Sequence, residues 1–82
     1  PLSTLNLIEG ETLICETQTS IYCVDSLPDA DVYYWETWNG LETTTENCLE
    51  ITWPTSGEEV IIVWAESTCG NSETLEIEIE IV

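Results

Sequence analysis

No lysine, arginine or histidine occurs among the 82 residues, against 17 aspartates and glutamates. Nothing in the chain can neutralise a phosphate, which excludes nucleic-acid binding in practice. An anionic membrane surface is disfavoured for the same reason. No side-chain ion pair can form within the chain. A serine or cysteine nucleophile needs a base such as histidine or lysine beside it, and neither is present. Cys-x-x-Cys spacing is missing too, so with no histidine the four cysteines do not read as a zinc site. The four glycines are scattered and form no phosphate-cradling loop. No apolar run is long enough to span a membrane, no segment has the periodicity of an amphipathic helix, and no Asn-x-Ser/Thr sequon occurs. Trypsin-like proteases find no site, which suits exposure outside a cell. Methionine is absent as well. That gives the expectation of a mature fragment, a processed subunit or one unit of a longer chain, forming a single domain over residues 1–82.

What is present is strongly patterned. With 43% hydrophobic residues, the chain departs from the composition of a disordered acidic segment. Its size is marginal for a core alone. Four cysteines offset this if they pair, which implies an oxidising compartment and an extracellular or cell-surface location. The formal charge of −17 reads first as a solvated acidic surface. A sharper reading is weak calcium binding, with affinity on the order of millimolar, by Asp25, Asp29 and Asp31 in one loop, with Glu58 and Glu59 in another. No other cofactor is expected. Carboxylate pairs are abundant enough for glycosidase-like chemistry, but a small chain with no evident cleft argues against it. The chain reads as a non-enzyme.

The organising stretch is residues 60–65, Val-Ile-Ile-Val-Trp-Ala, a short β-branched run expected as a central strand. It ends in the turn-formers Cys69, Gly70, Asn71 and Ser72. Beyond them Leu75, Ile77, Ile79 and Ile81 alternate with Glu76, Glu78 and Glu80, a period-2 strand that should pair with it. Earlier in the chain, Gly10 should kink a first strand. Strands are expected over 20–24, 32–38 and 48–53, with an edge strand over 41–46 after the Asn39-Gly40 turn. About seven short strands and no helix predict an all-β antiparallel sandwich.

In this order the motifs resemble the polycystic-kidney-disease (PKD)-like domain, an immunoglobulin-like module repeated in bacterial surface proteins and adhesins, especially of Bacteroidetes. Ile14-Cys15 resembles its early apolar-Cys step and Tyr22-Cys23-Val24 its next strand. Tyr33-Tyr34-Trp35 resembles its Tyr-x-Trp strand, and Asn39-Gly40 the turn that follows. Residues 47–53 resemble its Asn-x-Ile-x-Val-x-aromatic strand, and Ser67-Thr68-Cys69-Gly70 its Asn-x-Cys-Gly step. Ser67 stands where asparagine is usual and Trp38 where proline often stands, and Cys23 and Cys48 are additions. The resemblance implies the fold and an extracellular setting, and no catalytic activity. Four cysteines allow three pairings. The resemblance suggests Cys15–Cys69, which leaves Cys23–Cys48 across strands that should be neighbours.

Two function classes follow. The first is a structural or interaction unit of an extracellular fibre, stalk or adhesin, contacting copies of itself or adjoining repeats. The second is a carbohydrate-binding module that uses the four tryptophans and three tyrosines as stacking platforms. A variant of the first is a pilin-like subunit whose last strand, 74–82, completes a neighbour's sheet. With Tyr33, Trp35 and Thr37 facing the core, alternation turns Tyr34, Glu36 and Trp38 outward. With Ile61, Val63 and Ala65 inside, Val60, Ile62 and Trp64 face out. Tyr34, Trp38, Ile62 and Trp64 are therefore expected to form an apolar interface patch rimmed by the glutamates of the last strand, unless residues 41–46 fold over it. Asp25-Ser26-Leu27 fits the Asp-Ser/Thr-apolar pattern that Bacteroidetes use for O-glycosylation, with Ser26 as acceptor, and fits an unmodified Asx-turn equally well.

Overall fold

The computed structural model describes residues 5–28, 30–68 and 70–82. Nine strands occur among them: β1 (Leu7–Glu9), β2 (Leu13–Ile14), β3 (Thr19–Val24), β4 (Val32–Thr37), β5 (Gly40–Thr44), β6 (Cys48–Thr52), β7 (Gly57–Ser67), β8 (Gly70–Asn71) and β9 (Leu75–Ile81). No helix is found among the described residues. One sheet has the order β1-β3-β6. The other runs β2-β9-β7-β4-β5, with the short β8 also paired to β7. The two sheets form the expected all-β sandwich. The count exceeds seven because the first strand divides in two and because Gly70–Asn71 adds a two-residue strand.

β7 is the central strand of its sheet. It pairs antiparallel with β4, placing Tyr34 opposite Trp64, and antiparallel with β9, placing Ile61 opposite Ile77. The reason is compositional. β7 is β-branched along its middle, and every second residue there (Ile61, Val63, Ala65) is fully buried, so a neighbour on each edge satisfies its backbone while one face fills the core. β9 meets it with Ile77, Ile79 and Ile81 inward and its glutamates in water. On β4, Tyr33 and Trp35 face the same core. The three-stranded sheet closes the other side with Tyr22, Val24, Ile51 and Trp53.

The first strand divides because the chain changes sheets. β1 pairs with β3, whereas β2 runs parallel to β9, with Ile14 opposite Ile81. Gly10 lies at the crossing with φ 138°, a conformation open to glycine and strained for any other residue. A side chain there would also collide with the ring of Tyr22. That ring stands edge-on to Trp53, with centroids 6.0 Å apart at 90°. The Tyr22 hydroxyl donates to the Glu11 carbonyl at 2.6 Å and accepts from Trp53 Nε1 at 3.0 Å. The crossing segment is thus tied to both β3 and the end of β6 through one buried phenol.

Gly10→Ala should therefore cost about 2–4 kcal/mol, combining an unfavourable backbone conformation with overpacking against Tyr22. Urea unfolding of the oxidised protein would show this as a lower midpoint at unchanged slope.

Candidate functional site

Position in the sheet decides which aromatics meet water. Because Tyr33, Trp35, Ile61, Val63 and Ala65 are buried, the alternate residues of β4 and β7 project from the outer face of their sheet. Tyr34 and Trp64 are direct cross-strand partners and stack with centroids 5.2 Å apart and planes 8° from parallel. The Tyr34 hydroxyl donates to Glu66 Oε1 at 3.2 Å. Ile62 lies one step along the same face, opposite Glu36. Three of the four residues expected in the patch, Tyr34, Ile62 and Trp64, are thus brought together, each half-buried.

Trp38 is not with them. The turn at 38–39 ends the alternation of β4, and the Trp38 indole donates from Nε1 to the Thr52 carbonyl at 3.2 Å, on β6 of the opposite sheet. It bridges the open side of the sandwich and remains 43% exposed. Its place on the outer face is taken by Leu41, opposite Glu36 on β5 and exposed. Residues 41–46 do not fold over the patch, because Gly40–Thr44 is hydrogen-bonded edgewise to β4 in the plane of the sheet. Leu41 could have been found by continuing the alternation through the Asn39-Gly40 turn onto the next strand.

The face is rimmed by carboxylates. Glu76, Glu78 and Glu80 lie opposite Ile62, Val60 and Glu58 respectively, and Val60 is itself exposed. Every charge around the apolar patch is negative.

The remaining expected sites are dispersed. Cys23 and Cys48 face each other across β3 and β6 and are joined by a disulfide, S–S 2.08 Å. Cys15 carries a free, exposed thiol beside the end of β9, where Glu16 N donates to the Val82 carbonyl. The Cys15–Cys69 pairing lies partly outside the described residues, since Cys69 is not among them. Ser67 and Gly70 stand at the far end of β7 from Gly57, which pairs with Ile81. Asp25 is engaged by a neighbour across the sandwich edge. Its Oδ2 accepts from both the backbone N and Nδ2 of Asn6, each at 3.0 Å, and so pins the approach to β1. Asp31 is exposed, and Asp29 lies outside the described residues. Among the described residues no three acidic, cysteine or histidine side chains gather as metal ligands. Glu58 and Glu59 sit on β7, on opposite faces, rather than in a loop. Ser26 is exposed.

Two measurements follow from these geometries. The Cys23–Cys48 bridge spans 25 residues, for which loop-closure entropy gives about 3.5 kcal/mol. Replacing both cysteines with serine should lower unfolding stability by that amount. The phenol of Tyr34 is raised above the ordinary value of 10.0, first by its hydrogen bond to Glu66 and then by that carboxylate's charge. That of Tyr22 is raised chiefly by burial. A raised folded-state value means that this stabilisation is complete below pH 10.0 and is lost as pH climbs through the folded value. Thermal midpoints should fall on that alkaline side. In an ultraviolet phenolate titration, Tyr34→Phe should remove one late-titrating group.

Comparison with known proteins agrees with this architecture. The family model described as the PKD-like domain matches residues 1–79. Among solved structures, the PKD domain of an M14-like peptidase from Thermoplasmatales archaeon SCGC AB-540-F20 superposes with a TM-score of 0.77 at 22% identity, covering 99% of this chain and 95% of that one. At that identity the likeness is one of fold. None of the curated proteins compared matches the sequence. PKD domains are accessory, non-catalytic modules with structural and interaction roles, typically outside the cell. A match over nearly the whole length, on a disulfide-bonded two-sheet β-sandwich, places this chain in the PKD-like domain family.

Proposed function

We propose that the domain is a structural and interaction module of an extracellular fibre, stalk or adhesin, and that it docks a neighbouring domain through the outer face of the β2-β9-β7-β4-β5 sheet. The neighbour is a copy of itself or an adjoining repeat. The observation that carries this reading is the stacked Tyr34–Trp64 pair, continued along β7 by Ile62 and exposed Val60, with exposed Leu41 on the far side of Glu36. Contiguous apolar surface of this kind on a small domain marks a contact site, and aromatics dominate the energetics of such contacts.

The geometry supports this above the two other readings. A sugar-binding strip needs a row of aromatic faces open to solvent, whereas Tyr34 and Trp64 use one face each on the other and Trp38 lies apart from them, hydrogen-bonded to the Thr52 carbonyl on the other sheet. Donor-strand exchange needs a strand free to leave, whereas β9 is paired on both edges, to β7 and β2.

Trp64→Glu should abolish docking while leaving a folded domain with its Cys23–Cys48 bridge, because Trp64 is only half-buried and lies outside the core. Electron microscopy of assembled material and a non-reducing peptide map of the variant would check both halves. Normal assembly by the variant would remove this face from the contact, and failure to fold would place Trp64 in the core.

A further inference from the structure

The docking face has a chemistry that narrows its partner. Its centre is apolar around the Tyr34–Trp64 pair, Glu36 stands between Ile62 and Leu41, and the border carries Glu58, Glu66, Glu76, Glu78 and Glu80, all on the same side of the sheet by register. Two of these, Glu58 and Glu80, already stand directly opposite each other. The chain has no cation anywhere to answer them. If two identical copies met through this face, no glutamate of either copy could meet a cation, and every side-chain charge brought together as the apolar centres excluded water would be negative. Like-charge juxtaposition of this kind selects against a partner. A surface with an apolar centre and a basic border meets the opposite situation. Its arginines would pair with the glutamates, and a guanidinium could also lie against the outer ring faces of the Tyr34–Trp64 stack.

Resting on the reading of this face as a docking surface, we propose that its occupant is a non-identical protein surface, apolar at the centre and bordered by arginine or lysine, and that the domain joins its neighbour heterotypically. The apolar patch and the acidic border are separate observations, and together they specify the partner more narrowly than either does alone.

The test uses the intact domain in two experiments. In the first, the 15N-labelled protein is titrated by NMR with a hexapeptide alternating arginine and leucine, and with one alternating arginine and serine at equal charge. The arginine–leucine peptide should shift the Trp64 indole and the amides of β4 and β7, and should bind at least about tenfold more tightly than its serine counterpart, as a desolvated apolar centre requires. Trp64→Ser should weaken it by about tenfold. Leu41→Ser at the exposed edge provides a milder variant whose fold is not in question and should also weaken binding. Ile21→Ser on the other sheet should leave it unchanged. Raising salt should weaken binding steadily. In the second experiment, sedimentation of the protein alone at neutral pH and physiological salt should show a monomer. A dimer that Trp64→Ser dissolves would overturn the heterotypic proposal while leaving the docking face in place. Shifts spread equally over both sheets, or equal affinity of the two peptides, would show charge attraction alone and would overturn the proposal together with the docking face.

Discussion

Every side-chain charge in this protein repels every other. That constraint shapes the sandwich more than any single contact does. A fold of this size ordinarily gains little from surface ion pairs, but here even that little is unavailable to the side chains, and the compact state works against its own net charge. The chain answers by keeping its carboxylates on outward positions and its β-branched and aromatic residues on inward ones. β9 shows this most plainly, since Ile77, Ile79 and Ile81 are buried while the glutamates between them are exposed. Where alternation would aim a charge inward, as at Glu59 opposite Ile79, the residue lies near the end of β7 and stays half-exposed.

A core assembled under that constraint still contains polar atoms, and it satisfies them locally. Tyr22 and Trp53 satisfy one another and the Glu11 carbonyl. Trp35 Nε1 donates to Thr44 Oγ1 at 2.9 Å. Ser72, the one buried polar residue among those described, accepts from the backbone of Ala65 and donates to the Glu73 carbonyl. No buried side-chain nitrogen or oxygen among the described residues lacks a partner. The two fully buried tryptophans therefore fill volume without stranding a donor, which would otherwise cost about 1–3 kcal/mol each.

The parts of this arrangement that were legible in the sequence are those set by local period. The inward residues of β4, β7 and β9, the kink at Gly10 and the absence of helix all follow from alternation and turn chemistry. What was not legible depends on where distant segments meet. Trp38 looked like the next outward residue after Tyr34 and Glu36, but period 2 holds only while the chain remains a strand, and the turn sends the indole to Thr52 instead. The parallel pairing of β2 with β9 leaves no trace in a two-residue strand. The position of Cys15 follows from that pairing, so it was hidden as well. The strand order carries it to the Gly57 end of the sheet.

The two outer faces of the sandwich also differ for a physical reason. On the three-stranded sheet the outward position beside β1 is occupied by the Cys23–Cys48 bridge, nearly buried at 6% for Cys23, and the apolar residues left outside, Ile8 and Ile21, are aliphatic and exposed. On the other sheet the outward residues are large and aromatic and are aligned in register across two central strands. Edge strands must resist adventitious pairing, but the middle of a face has no such duty, so β4 and β7 can carry Tyr34 and Trp64, whereas β5 is an edge and β9 is covered by β2 only at Glu80 and Ile81. The acidic rim of β9 then serves both demands. It hydrates the edge of the patch and, on the docking reading proposed above, would select surfaces able to neutralise it, so the same residues that oppose the compact state by electrostatics would make such a contact selective.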